Sequence, residues 1–150
     1  MQVSIRITGT KEVQRKLRKL GPNLHNLRGA MEDIGDQAAD YYANQGFNSQ
    51  GGVFGSPWRR LKPATLLRKA KRYPGRPPLV ATGAMRDSFT YVAGSQQVLI
   101  GNKADYFKYH QSTAPRTRLP RRQMMGINSP ISRMVKSTIE NEIRKKIRLA

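Results

Sequence analysis

Few side chains in this chain are of the types that do chemistry, and their spacing keeps them apart. There are two histidines, His25 and His110. A general base needs a nucleophile or an orienting acid within hydrogen-bond reach. His25 has only the distant Glu32 in its stretch, while His110 follows Tyr106 by one helical turn and shares its face. Both patterns suit packed, hydrogen-bonded imidazoles. Of nine acidic residues, only Glu32, Asp33 and Asp36 cluster. On a helix Glu32 and Asp36 share a face that Asp33 does not quite join, so a metal site would need further ligands. The absence of cysteine removes disulfides, thiolate metal sites and cysteine nucleophiles together. The run from Gly46 to Pro57 holds Gly46, Gly51, Gly52 and Gly55 with Asn48, Ser49 and Ser56. A phosphate cradle would need Walker or dinucleotide-binding spacing after a strand, and neither is present. No catalytic residue, metal or cofactor is assigned, and the chain is read as a non-enzyme.

What the residues can do instead is attract anions. The 150 residues carry a formal charge of +19, far above the roughly 2–8 that keeps a small domain soluble. Such an excess implies nucleic acid or acidic protein surfaces as company. Its densest stretch runs from Arg59 to Arg76 and holds Arg59, Arg60, Lys62, Arg68, Lys69, Lys71, Arg72 and Arg76 without one acid. A second set, Arg116, Arg118, Arg121 and Arg122, lies in a proline-bearing stretch over 112–122 that reads as an extended basic arm. Arginine forks pair two-handedly with carboxylate or phosphate. No apolar run reaches the roughly 20 residues of a membrane span. The alternating N-terminus is no signal peptide, so a cytosolic product without membrane contact is expected.

The elements that would position these groups are legible in part. Val3, Ile5 and Ile7 alternate with polar residues, which predicts a strand ended by Gly9. Val13, Leu17 and Leu20 predict a helix over 10–20, broken by Gly21 and Pro22. A longer helix follows from Asn23 as N-cap, with Leu27, Met31, Ile34, Ala38 and Tyr41 as its seam. The glycine-rich run should lack regular structure and form a mobile loop over 46–57, with Trp58 as a core anchor at its end. Pro63 opens a short helix. Pro77 and Pro78 exclude helix, and Thr82 is an N-cap candidate for a short helix near Met85. Phe89–Ala93 and Gln97–Ile100 form a hairpin around Gly94 and Ser95, stopped by Gly101. A short helix spans 104–111, with Asn102 or Lys103 at its entrance. Ser129 caps a final helix with Pro130 as its first residue, and Ile131, Val135, Ile139, Ile143 and Ile147 form its stripe. The expected class is α+β: a small antiparallel sheet, made of the N-terminal strand and the central hairpin, packed with a long N-terminal helix and a C-terminal amphipathic helix in one domain.

Four stretches, in order, carry a resemblance. They are Trp58-Arg-Arg-Leu-Lys-Pro, Pro78-Leu-Val-Ala-Thr-Gly-Ala-Met-Arg-Asp-Ser, Ile100-Gly-Asn with Asp105-Tyr-Phe-Lys-Tyr-His-Gln, and Pro120-Arg-Arg-Gln-Met-Met-Gly-Ile. The set resembles the tailed-phage virion morphogenesis, or tail completion, family. The resemblance implies a structural virion protein of the neck or tail, assembled in the host cytoplasm, that completes the tail or joins it to the head. It implies self-association in a ring, with a hexamer expected. Neighbours would be the tail terminator or tail tube protein and the head-completion or connector proteins; the charge leaves packaged DNA open as a further partner. Leu79, Thr82, Gly83 and Ser88 would then order the sheet, and Tyr106, His110 and Gln111 would form a structural helix. Pro120, Arg121, Arg122 and Gly126 would be the signature of the arm. The predicted interface residues are Arg59, Arg60, Arg68, Lys69, Lys71, Arg72, Arg116, Arg118, Arg121 and Arg122.

Two rival readings stay open. A general nucleic-acid-binding protein accounts for the charge, although no helix-turn-helix, zinc spacing or RNA-stacking aromatic set is visible. A nuclease-like or toxin-like enzyme would need metal ligands that so acid-poor a chain hardly supplies.

Overall fold

The alternation of Val3, Ile5 and Ile7 becomes strand β1, Ser4–Thr8, in a computed structural model that describes residues 3–8, 11, 15, 21, 25–113 and 119–149. Strand β1 pairs antiparallel with a central strand, and Phe89–Ala93 (β2) and Gln97–Asn102 (β3) complete a sheet of order β1-β3-β2. The register sets Ile5 opposite Ile100 and Ile7 opposite Val98. Ile7, Val98 and Ile100 are all buried, so these cross-strand pairs form the apolar face. With helices Arg28–Tyr41 (α1), Pro63–Arg72 (α2), Phe107–Gln111 (α3) and Ser129–Leu149 (α4), the fold is α+β, as the patterning implies. The helix expected over 10–20 and the Asn23 cap lie outside the described residues, as do Arg116 and Arg118.

The described residues divide into two compact units. One is made of Ser4–Ala39, Thr90–Gly101 and Ile127–Ala150. Here α1 begins later than the pattern suggests, because the Asn26 carboxamide oxygen accepts from the Arg28 N–H at 3.1 Å. Ala30, Met31, Ile34 and Ala38 are its buried seam. Gly35 sits mid-helix, where glycine costs about 1 kcal/mol relative to alanine. The reason is local: a Cβ on Gly35 would lie 2.4 Å from the Tyr91 ring of β2. In α4, Asn128 and not Ser129 supplies the cap, its side-chain oxygen accepting from the Ile131 N–H at 3.1 Å. Ile131 and Ile139 are buried, while Ile147 at the end of the stripe is half exposed.

The other unit is made of Met1–Val3, Asp40–Phe89 and Asn102–Gly126. It starts with a wide π-helical turn, Tyr42–Gly46. Tyr42 and Phe47, five residues apart, are buried there; Tyr41, the expected seam residue, is only half-buried. Their rings join an aromatic cluster: Tyr42 and Phe47 against Phe89, Phe47 edge-on to Trp58, and Phe89 edge-on to Phe107. Regular structure also enters the glycine-rich run, contrary to expectation. Gly52–Phe54 is a 3-10 turn, the Gly51 N–H bonds the Gly46 carbonyl at 2.9 Å, and the Trp58 N–H bonds the Gln50 carbonyl at 2.7 Å. Gly51 has φ +78°, and a Cβ there would strike the Trp58 indole at 2.5 Å. Gly51 therefore serves packing under an aromatic ring.

Candidate interaction groove

The basic helix is positioned by its ends. Lys62 is extended at φ −62°, ψ 149°, and Pro63 follows as the first helical residue, where a missing N–H costs nothing. Tyr73 leaves the helix at φ −138°, and its carbonyl accepts from Arg76 N–H. No residue of α2 is fully buried, and Arg68, Lys71 and Arg72 are exposed.

Facing it is a turn built on strain. The Val80 N–H bonds the Pro77 carbonyl at 3.1 Å, and the intervening Leu79 has φ +61°. That geometry belongs to the third residue of a type II turn, a place glycine normally takes. Non-glycine residues at positive φ cost of order 1–3 kcal/mol and cluster where a surface must be shaped. Next, the Thr82 hydroxyl accepts from the Ala84 N–H at 3.2 Å. No α-helix starts there, because Gly83 takes φ +90°; a 3-10 turn, Arg86–Ser88, follows instead. The Ser88 hydroxyl donates to the Ala84 carbonyl. Strand β3 continues through Gly101 to Asn102, beyond its expected stop. Asn102 is buried there, its amide donating to the Met85 carbonyl at 2.6 Å and its oxygen accepting from the Ala104 N–H at 2.9 Å.

Between α2, the Leu79–Met85 segment and α3 lies a groove of about 560 Å³. Arg68, Lys69 and Arg72 come to it from the basic helix; Leu79, Thr82 and Gly83 come from the turn; Tyr106 and His110 come from α3 and its entrance. Leu61, Tyr73 and Met85 supply apolar surface. Two sets of residues singled out for different reasons, the acid-free charge run and the motif positions, thus line one concavity. No carboxylate is among the described residues that line it.

Behind the groove the 120–126 segment is clamped. Gln111 is buried, and its oxygen accepts from the N–H groups of Met124 at 2.8 Å and Met125 at 3.2 Å while its amide donates to the Met125 carbonyl at 2.9 Å. The Trp58 indole donates to the Gln123 carbonyl at 2.7 Å, and the Tyr42 hydroxyl to that of Gly126 at 2.8 Å. Arg122 is 4 % exposed, and its Nε and Nη2 donate to the Arg59 carbonyl at 3.2 and 2.9 Å. This corrects the picture of a wholly extended, exposed arm: its end is docked, and the Arg122 guanidinium is spent inside the chain. Arg121 is exposed and donates to the Gln111 carbonyl at 3.0 Å.

The docked arginine shapes the local field. Burial, and then the neighbouring Arg59 charge, lowers the Arg122 pKa. Burial, and then the Arg122 charge, lowers that of Lys69, whose ammonium also donates to the Pro77 carbonyl. Like charges crowd without a compensating acid, a situation that an incoming anion relieves. Arg59, Arg60, Lys71 and Arg72 are exposed around this cluster. Among the described residues no group of three or more His, Cys, Asp and Glu could hold a metal ion. None of their helices is long and apolar enough to cross a membrane.

Sequence reasoning missed the roles of Asn102, Tyr42 and the aromatic cluster. Those aromatics come from four separate stretches of the chain, so no local pattern could group them.

Residues of all four ordered stretches therefore meet in one unit: Trp58 with Gln123, Met85 with Asn102, and Gln111 with Met124 and Met125. No curated protein and no solved structure gives a significant match to the chain. A family model, that of the phage virion morphogenesis family, matches residues 8–144. The match spans nearly the whole sequence, and the chain belongs to the phage virion morphogenesis family.

Proposed function

We propose that this protein completes the tail of a tailed phage and joins it to the head as a ring-forming neck component, by contact alone and without turning over a substrate. The observation that carries the reading is the groove beside α2, where exposed cations and motif residues converge without a carboxylate. Such a surface fits an acidic protein face better than it fits a reacting small molecule. Its charged groups are the guanidinium and ammonium donors of Arg68, Lys69 and Arg72. Family membership supports a structural role in virion assembly. The tail tube or terminator on one side and the head-completion or connector proteins on the other are the partners this role requires.

The test is to make particles without this protein and image them in negative stain. Separate heads and tails, restored to joined virions by adding the purified protein, are the expected result. A normal yield of joined, infectious particles in its absence would overturn the reading.

A further inference from the structure

In a chain of net charge +19, the few acids have an unusual placement. Glu32, Asp33, Asp36 and Asp40 all lie on α1, and all four are exposed. Glu32 pairs with Arg28 at 3.3 Å, and Asp40 accepts from Asn44 at 2.8 Å. Asp33 and Asp36 make no ion pair among the described residues. On α2 the reverse holds: Arg68, Lys71 and Arg72 are exposed, and the helix has no acid.

Resting on the ring reading above, we infer that the groove beside α2 receives the acidic face of α1 from a second copy of this chain, so that subunits join head to tail. The spacing supports the pairing. Asp36 and Asp40 are one helical turn apart, about 6 Å along the axis, and so are Arg68 and Arg72. Two carboxylates can therefore meet two guanidiniums with the helices side by side. Neither face is self-complementary: a two-fold contact of either one would set like charge on like charge. Complementary patches on different elements suit a heterologous contact, the kind that a closed ring requires. The pairing also addresses the repulsion between copies of so cationic a chain. Duplex DNA is the competing occupant, but the groove is concave and partly apolar, dimensions that suit side chains rather than a rod of phosphates.

The experiment uses the full chain in sedimentation velocity at low salt. Asp36→Asn with Asp40→Asn removes the two carboxylates of the pairing, and Arg68→Gln with Arg72→Gln removes the two guanidiniums; all four sites are exposed, and circular dichroism checks the fold. Each double variant should stay monomeric at concentrations where the unaltered protein forms larger species. An equimolar mixture of the two should form pairs and nothing larger, because each partner keeps one working face. Variants that assemble like the unaltered protein, or a mixture that stays monomeric, would overturn the pairing. Rings that persist in both variants would leave the ring reading standing and sink only this interface. An unaltered protein that is monomeric at every concentration would sink both. Loss of duplex-DNA affinity in the arginine variant, with assembly unchanged, would assign the groove to nucleic acid instead.

Discussion

The indole N–H of Trp58 donates to the Gln123 carbonyl at 2.7 Å, across 65 positions of sequence. It links the start of the basic stretch to the clamped segment behind the groove. Trp58→Phe keeps an aromatic edge for Phe47 but leaves that carbonyl without its donor. A loss of about 1–3 kcal/mol in urea unfolding is expected. Because Trp58 is the only tryptophan, its emission in the unaltered protein follows this one site, which gives the measurement a local probe.

Gln111 offers a sharper test. Replacing it by Leu strands the buried N–H groups of Met124 and Met125, while the Met125 carbonyl keeps the Gln123 amide at 3.1 Å. About 3 kcal/mol or more should be lost. Gln111→Glu retains an acceptor and loses the donor to Met125, so it should fall between the two. Equal stability of all three proteins in chemical denaturation would contradict the clamp.

Gly35 and Tyr91 should show a reversal of sign. Alone, Gly35→Ala gains roughly 1 kcal/mol of helix propensity and meets the Tyr91 ring, with overpacking that typically costs about 1–3 kcal/mol; net destabilisation is expected. In a Tyr91→Ala background the obstacle is gone, and the same change should stabilise. A thermal double-mutant cycle measures the coupling.

Alkaline pH should weaken the protein through Tyr42. Burial, and then the nearby Tyr41, pushes its hydroxyl well above the usual phenol range. The folded chain thus holds this proton after the unfolded chain has released it. The contribution to stability is complete below the ordinary value of about 10 and is lost as the pH climbs beyond it. Tyr42→Phe should cost about 1 kcal/mol at neutral pH, because the Gly126 carbonyl loses its donor, and should flatten the alkaline decline. Unfolding free energies measured from pH 8 upward would show both effects.

Local periodicity made the elements legible, and distant partners made the groove illegible. Val3 to Ile7 alternate, Pro63 and Pro130 announce helix starts, and Ile131 and Ile139 mark a buried stripe; each signal is contained in a few residues. The caps were misread by small steps because Asn128 and Ser129 are both good cap residues, and only the tertiary path of the chain chooses. Arg122 looked like one more solvated cation, because its acceptor, the Arg59 carbonyl, is 63 positions away. Gly51 reads as looseness until the chain folds back and sets Trp58 above it. The charge of α2 was plain from the sequence, but its convergence with Thr82, Tyr106 and His110 needed the turn at Leu79, whose left-handed backbone a leucine does not advertise.

The wide turn at Tyr42–Gly46 changes how substitutions and length variants in this region should be interpreted. A helical wheel drawn straight through it would assign Phe47 to the wrong side. Removing one residue here would let the backbone relax to ordinary pitch, and the side chains after it would keep nearly their present direction, because roughly four residues at about 100° each sweep the angle that five sweep in the wide turn. A single-residue deletion between 43 and 46 should therefore be tolerated better than one inside α1, where each lost residue turns everything after it by about 100°.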